Sequence, residues 1–348
     1  MSKQLRKIRV ALNGYGVIGK RVADAVACQD DMELVGVADI ATDWRLRPAA
    51  CKGFKLFAAS EDKLDAMREA GHEVAGALDA LLHEADIIVD CTPKGIGAKN
   101  AQHYRELGVK FVVQGGEKHE VTGQSFVAEA SYTGAVGKQS TRVVSCNTTS
   151  VVRTLTALKH AGLLRRARGT LMRRATDPWE SHKGGIMNTL VPESEIPSHQ
   201  GPDAQTVDPG LDVVTMAVKA PETIAHLHCW TVQLTRNASK EEVIEAFRSS
   251  SRIALIRMSE GLTAINTIKE LMADMGRPRD NLYEVALWED LVKVQDEEAF
   301  YAYMVDNQAI VIPETIDAIR ALTGSERAAD SSIAKTNAAL GIGRLFAW

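Results

Sequence analysis

The chain of 348 residues contains no run of roughly 18 apolar residues, which excludes a membrane-crossing helix. Its five cysteines, Cys28, Cys51, Cys91, Cys146 and Cys229, show neither CxxC nor regular spacing. Such an odd scatter makes no disulfide framework and fits a reducing compartment. Charge of one sign is not in excess: 41 Lys and Arg against 45 Asp and Glu leave a formal net charge of -4. That balance argues against nucleic-acid or anionic-membrane partners. The one basic cluster, "LLRRARGTLMRR" over Leu163–Arg174, needs an explanation within the fold. Repeats and low-complexity tracts are missing. The start, "MSKQLRKIRVALNGYG", passes from charged residues straight into a strand-like run with no apolar h-region, so a cytoplasmic location is expected.

What is present is 45% hydrophobic and 25% charged residues, the profile of a soluble globular protein long enough for two domains. Over the first 145 residues, short β-branched runs alternate with helical patterns, the rhythm of a parallel sheet. Strands are predicted at 7–12, 32–39, 86–92, 110–114 and 141–145, with a helix over Val17 to Cys28. After a helix from Cys146 to about Ala161, longer alternating strands appear in "GTLMRRA", "LDVVTMAV", "HLHCWTVQL", "YEVALW" and "EAFYAYMV". Two helices interrupt them, one capped by Ser239 with Glu242 in a capping box and one near Thr263 to Met275. This half reads as a mixed or antiparallel sheet with helices on one face. Residues 191–210, rich in Pro, Gly and Ser, predict a long ordered loop, and a last helix is expected at about Asp330 to Gly341. The fold class is α/β: a Rossmann dinucleotide-binding domain, 1–145 with 308–348, plus an α+β catalytic domain, 146–307.

In "ALNGYGVIGKRVADAV", Gly14, Gly16 and Gly19 form GxGxxG directly after a strand and at the start of a helix. Glycine serves there for the tight turn, for close approach to a pyrophosphate and for helix packing, while the helix start faces the phosphates. The second strand ends at Asp39, 39 − 19 = 20 residues past the third glycine, where a carboxylate can bind ribose hydroxyls. A carboxylate there repels a 2′-phosphate, which favours NAD over NADP, with Arg45 and Arg47 just beyond as possible compensation.

Cys146, in "VVSCNTTSVVRTL", falls at a strand-to-helix junction. Free amides and the helix dipole there favour a thiolate and, with Asn147, stabilise an oxyanion formed on a carbonyl. A buried structural cysteine is the competing reading, but the polar run Asn147, Thr148 and Thr149 is poor core filler. The other four cysteines lack this setting and read as structural. A thiolate beside a nicotinamide suggests aldehyde oxidation through a thioester.

Taken together, "NGYGVIGKRVADAV", "QGGEK", "VVSCNTTS", "RRATDP", "PSHQGPD", "AHLHC" and "VIPETIDAIRA" resemble the archaeal-type (class II) glyceraldehyde-3-phosphate dehydrogenases nearly end to end. The resemblance implies a Rossmann domain plus a catalytic domain on a largely antiparallel sheet, in a homotetramer. It implies oxidation of glyceraldehyde 3-phosphate with inorganic phosphate and either NAD or NADP. By matching motif, Cys146 resembles the nucleophile, with Ser145 and Asn147 beside the substrate and His199 and Gln200 as a substrate pair. Val17, Ile18, Gly115, Arg174 (with Arg173 close behind) and Gln308 resemble cofactor contacts. One histidine of "AHLHC" resembles the base. Alternation along a strand puts His226 and His228 on one face, so both stay open, with His226 preferred. A metal site is not expected, since Cys229 would point to the other face. The family pattern has two adjacent histidines where His199 and Gln200 stand, glycine at Ser150, and His-Gln-Glu-Ser at Asn307 to Ile310; Trp179 and His182 are additions. Other readings of the same residues are a dehydrogenase for another phosphorylated or acidic aldehyde, and a non-catalytic nucleotide-binding redox sensor. The basic residues Arg153, Arg165, Arg166, Arg173, Arg174 and Lys183 suit an anionic substrate, though most of them read as solvated surface charge.

Overall fold

The β-branched runs of the first 145 residues become eight strands, every pair of them parallel. The computed structural model describes residues 6–178, 188–343 and 346; Trp179 and His182 lie outside the described residues. The strands are β1 Ile8–Asn13, β2 Met32–Asp39, β3 Leu56–Ala58, β4 Val74–Ala77, β5 Ile87–Asp90, β6 Lys110–Val113, β7 Ser125–Phe126 and β8 Ser140–Val143. Their order is β4-β3-β2-β1-β5-β6-β8-β7. The chain runs outward from β1 to β4, then returns to lay β5 along the other side of β1. This reversal makes a topological switch point at the carboxyl ends of β1 and β5, the place where open α/β sheets take ligands. Ala11, Phe57, Leu81, Ile88, Tyr104 and Phe111 belong to the core cluster of this unit.

Two compact units divide the chain: Met1–Val144 with Ile312–Leu340, and Ser145–Val311 with Gly341–Trp348. The expected return at 308 thus starts later and stops before the C-terminus. Hydrogen bonds explain both changes. The Ile310 carbonyl accepts from Arg153 and the Ala309 amide donates to Asp306, so this stretch is tied to the second unit. Past the last helix, the Gly341 carbonyl accepts from Arg277 and the Gly343 amide donates to Glu284.

The helix Val311–Thr323, carried in the sequence only as a motif, joins Ala329–Leu340 in closing the first unit. Its fastening is Arg320, whose side chain is fully buried. Arg320 gives two hydrogen bonds to Asp31 (2.7 and 2.8 Å), one to Gln29 (2.8 Å) and one to Thr336 (2.6 Å). Burial raises the Asp31 carboxyl, and the Arg320 bonds outweigh it, leaving Asp31 below its ordinary value.

In the second unit the strands are β9 Leu164–Arg174, β10 Val191–Pro192, β11 Val213–Ala220, β12 His226–Leu234, β13 Ile253–Ile256, β14 Val285–Trp288, β15 Lys293–Gln295 and β16 Glu298–Val305. The order is β10-β11-β9-β12-β16-β14-β13, with β15 on β16, and among the described residues only β9/β11 and β13/β14 pair in parallel. The sheet is therefore largely antiparallel. The helix Cys146–His160 packs on it against β9 and β16. Ser239 caps the helix Lys240–Arg248 through the Glu242 amide (3.1 Å), but the Glu242 carboxylate turns to Arg236 instead of completing a capping box. The predicted loop 191–210 holds β10 and the short helix Gln200–Gln205.

Arg320→Ala removes the partner of Gln29 and Asp31 and should lower the unfolding free energy by about 3–5 kcal/mol. Asp31 has a depressed folded pKa, so its contribution is present above about pH 4 and lost as pH falls through the folded value. Urea unfolding at pH 7 and at pH 3 checks both points: the deficit of the variant should shrink at the lower pH.

Candidate active site

At the end of β1, Gly14 has φ +92°, and a Cβ there would lie 2.9 Å from the Cys91 carbonyl carbon. A Cβ on Gly19 would overlap the Gly14 carbonyl oxygen. Packing within the protein accounts for these two glycines. Gly16 differs, because a Cβ there meets nothing within 4 Å, which leaves the backbone open to close approach by a ligand. Gly16 is also the N-cap of Val17–Ala27, which has no side-chain cap and no acidic residue in its first turn. Its leading amides, at Val17, Ile18 and Gly19, suit phosphate oxygens.

Asp39 accepts the Tyr15 amide (2.6 Å) and the Ala41 amide (2.7 Å), which puts its carboxylate beside the glycine loop. Arg45 is engaged by Asp43 through Nε (2.8 Å) and Nη2 (2.7 Å), so its charge is already partnered. Lys20 lies over the Tyr15 and Trp44 rings, 5.6 and 5.2 Å from their centroids. Gly115 follows β6 in a turn, next to Gln114, whose amide donates to Thr315 (3.2 Å). The residues of this unit fit a dinucleotide.

In the second unit, Ser145 ends an extended segment and caps the helix Cys146–His160 by accepting the Thr148 amide (3.3 Å). The Thr148 hydroxyl in turn donates to Asp203 of the helix Gln200–Gln205 (2.7 Å). Capping leaves Cys146 at the first helical position. Its Sγ lies 3.4 Å from His226 Nε2. Strand alternation does put His226 and His228 on the same buried face of β12, but their partners separate them. His228 Nε2 meets Asn147 Oδ1 (2.9 Å) and its Nδ1 meets the Tyr303 hydroxyl (3.0 Å). Only His226 reaches the sulfur.

The Arg174 main-chain amide donates to His226 Nδ1 (3.1 Å). A main-chain N–H can only donate, so the neutral ring carries its proton on Nε2, toward the sulfur. Sequence reasoning cast this histidine as a proton acceptor, whereas the Arg174 amide makes it a hydrogen-bond donor to sulfur. Burial, with His228, Arg174 and Arg173 adding to it, holds His226 well below the usual histidine range. Burial and Arg173 bring His228 down to about 3. The Cys146 thiol is pushed up by burial, which exceeds the lowering by Arg174, the Asn147 amide and Arg173. The expected helix-start effect is present and is overruled by desolvation. Both shifts favour a thiol and a neutral imidazole over a thiolate–imidazolium pair.

The other site residues fall out as follows. Asn147 is turned inward to His228. Ser150, fully buried, donates to the Asn147 carbonyl (2.8 Å) and meets the Tyr303 hydroxyl (3.3 Å), a layer behind the cysteine. His199 is 60% exposed and 3.7 Å from Glu193, which also pairs with Arg173. These three and Lys219 line a cleft of about 440 Å³. Gln200 is fully buried, and neither polar atom of its carboxamide has a partner among the described residues. Arg174 and Gln308, expected at the cofactor, both bind Asp177, at 3.2 and 3.1 Å. Asp177, which lies inside the motif "RRATDP", and Asn307, noted in the sequence only as a departure from the family pattern, carry no assigned role in the sequence reading. Arg165 and Arg166 are exposed, but Arg153 is fully buried, donating to the carbonyls of Tyr283 (2.8 Å) and Ile310 (3.1 Å). Cys28, Cys51 and Cys229 are exposed and Cys91 is partly buried, so the first three are not core filler. Among the described residues no cluster of three or more His, Cys, Asp or Glu is placed to hold a metal ion.

A Rossmann-type nucleotide unit followed by a unit carrying a thiol against a buried imidazole is the make-up of a two-domain dehydrogenase. Residues 145–290 match the glyceraldehyde 3-phosphate dehydrogenase C-terminal domain, and residues 8–121 match the dihydrodipicolinate reductase N-terminus. A glyceraldehyde-3-phosphate dehydrogenase from Methanobrevibacter smithii is 44% identical over 335 residues, covering 96% of this chain and 99% of the relative. One from Methanothermus fervidus is 42% identical, covering 96% and 98%. A third, from Thermococcus kodakarensis, is 44% identical, covering 97% and 99%. The chain belongs to the archaeal-type glyceraldehyde-3-phosphate dehydrogenase family.

A neutral pair has a defined signature in alkylation. The rate of iodoacetamide reaction at Cys146 should rise through one midpoint above about 8.5 and show no plateau near pH 6 from a thiolate–imidazolium pair. Arg174→Met should move the midpoint further up. Peptide mass spectrometry is the readout, because the exposed cysteines also react; a plateau persisting from pH 5 to 7 would contradict the assignment.

Proposed function

We propose that the chain oxidises glyceraldehyde 3-phosphate, with NAD or NADP and inorganic phosphate, to an acyl phosphate through a thioester on Cys146. The observation that carries this reading is the 3.4 Å approach of Cys146 Sγ to His226 Nε2 at the head of a capped helix. Loss of the thiol proton to solvent frees a sulfur electron pair, which bonds to the aldehyde carbon while the carbonyl π pair moves to oxygen. The Nε2–H of His226 is placed to donate to the sulfur as it becomes negative and then to the new alkoxide. What a bound nicotinamide supplies is a hydride acceptor, by which the adduct becomes a thioester. A phosphate oxygen then attacks the thioester carbon, the C–S bond breaks, and the sulfur leaves as a thiolate that again receives the Nε2–H bond.

Arg173, His199 and Lys219, which share one cleft, are the groups we assign to anionic phosphate. Ser145 and Asn147 frame the cysteine through the cap and through His228. Gly14, Gly16, Val17, Ile18, Gly19, Asp39 and Gly115 would hold the cofactor. The engagement of Arg45 by Asp43 supports a preference for NAD. The reading includes a homotetramer in the cytoplasm. The tetramer is supported by the apolar outer face of the second sheet, where Met216 of β11 is 49% exposed, with Ile196 of the adjoining loop, 65% exposed, beside it. A second substrate, another phosphorylated or acidic aldehyde handled by the same steps, is favoured by one observation: the uncharged, unpartnered Gln200.

The test is NAD(P)H formation from a panel of aldehydes with and without phosphate. Glyceraldehyde 3-phosphate should give a phosphate-dependent rate, and Cys146→Ser should lower it by at least about a thousandfold. A rate indifferent to phosphate would sink the phosphorylating reading, and a fully active serine variant would sink the nucleophile.

A further inference from the structure

His226 is the first residue of β12, and the residue before it has an unusual backbone. Ala225 has φ +65° and is 1% exposed. A left-handed conformation is uncommon for a residue other than glycine, asparagine or aspartate, and it persists only where the surroundings hold it. The holding group is visible: the Ala225 amide donates to Asn307 Oδ1 (2.9 Å). The other end of the same carboxamide, Nδ2, faces Asp177 Oδ1 at 3.4 Å. That oxygen also takes Gln308 Nε2 (3.1 Å) and pairs with Arg174 Nη2 (3.2 Å). Arg174 closes the ring, since its amide donates to His226 Nδ1 (3.1 Å).

The loop that presents Asn307 is itself fixed. Asp306 Oδ1 accepts the amides of Gln308 (2.9 Å) and Ala309 (3.2 Å), and Oδ2 accepts the Leu282 amide (3.1 Å) and Lys269 Nζ (2.7 Å). Both atoms of one asparagine side chain thus connect the backbone kink before His226 with the carboxylate that holds Arg174. From this geometry we infer that Asn307 is a positioning residue, which keeps the His226 imidazole on Cys146 by clamping the left-handed turn at Ala225. The inference rests on the Cys146–His226 reading above. It assigns Asn307 no contact with substrate or cofactor. Charged and titratable groups around the imidazole are Arg173, Arg174, Asp177, Asp306, His228 and Cys146, and none of them is altered in the variants below.

The clamp makes a distinctive demand. Glycine adopts positive φ without a Cβ penalty, so a glycine at 225 should make the clamp largely dispensable. The experiment uses the full-length protein without cofactor and follows iodoacetamide alkylation of Cys146 by peptide mass spectrometry across pH, together with melting temperature. Losing a hydrogen bond to the forming thiolate is worth about one pH unit in the midpoint and roughly tenfold in rate at neutral pH. Asn307→Ala should show this loss, His226→Ala should show it as well, and Asn307→Ala with Ala225→Gly should recover most of the rate. If Asn307→Ala fails to fold, the double variant is compared with Ala225→Gly alone, and the two should agree within about twofold.

Alkylation of Asn307→Ala at the wild-type rate would overturn the inference, provided His226→Ala is slow. A wild-type rate in His226→Ala instead overturns the cysteine–histidine reading beneath it. A slow Asn307→Ala whose melting temperature falls and which glycine at 225 does not rescue would make Asn307 merely structural, and would overturn the inference too.

Discussion

A sulfur atom 3.4 Å from an imidazole that burial keeps neutral is the contact on which the catalytic unit turns. Burial by itself would leave both groups inert, since it raises the thiol and suppresses the imidazolium. What makes the pair useful is direction. The Arg174 amide occupies Nδ1 and so aims the one ring proton at the sulfur. The nearby guanidinium groups of Arg174 and Arg173 oppose part of the desolvation at Cys146. In the proposed reaction, donors fixed in advance act most strongly as a carbonyl accepts the sulfur electron pair.

The structure behind this contact consists of layers of polar groups that satisfy one another. Asn147 and Ser150 of the cysteine helix, with His228 and Tyr303 from the sheet, form a buried polar cluster whose members lie within hydrogen-bonding distance of one another. Arg153 anchors the middle of that helix to two carbonyls. Such networks specify one arrangement because a half-satisfied version is costly. Gln200, at the start of the helix that Asp203 ties to Thr148, is a buried carboxamide with neither polar atom partnered among the described residues.

Much of this was legible in the sequence where local rules dominate. The glycine loop, Asp39 at the end of β2, the helix beginning at Cys146 and the strands His226–Leu234 and Glu298–Val305 follow from short-range patterns. The short strands β3, β4 and β7 were not: β3 and β7 have only three and two residues, and β4, Val74–Ala77, is "VAGA" with a single β-branched residue. Alternation could not choose between His226 and His228; only the partners across the sheet do. Arg153 looked like surface charge because nothing local announces that a guanidinium will cap carbonyls 130 and 157 residues away. The same distance in sequence hid Asn307 and Asp177. The pKa of Cys146 was misjudged for a related reason, since a helix start is visible in sequence and the depth of burial is not.

The central claim is that Cys146 carries the substrate as a thioester. It is tested most directly by mixing the protein with glyceraldehyde 3-phosphate and cofactor in the absence of phosphate, quenching in acid and mapping peptide masses. The account predicts an acyl adduct on the peptide containing Cys146, discharged as an acyl phosphate when phosphate is added. An adduct on another cysteine, or cofactor reduction with no adduct at all, would contradict it.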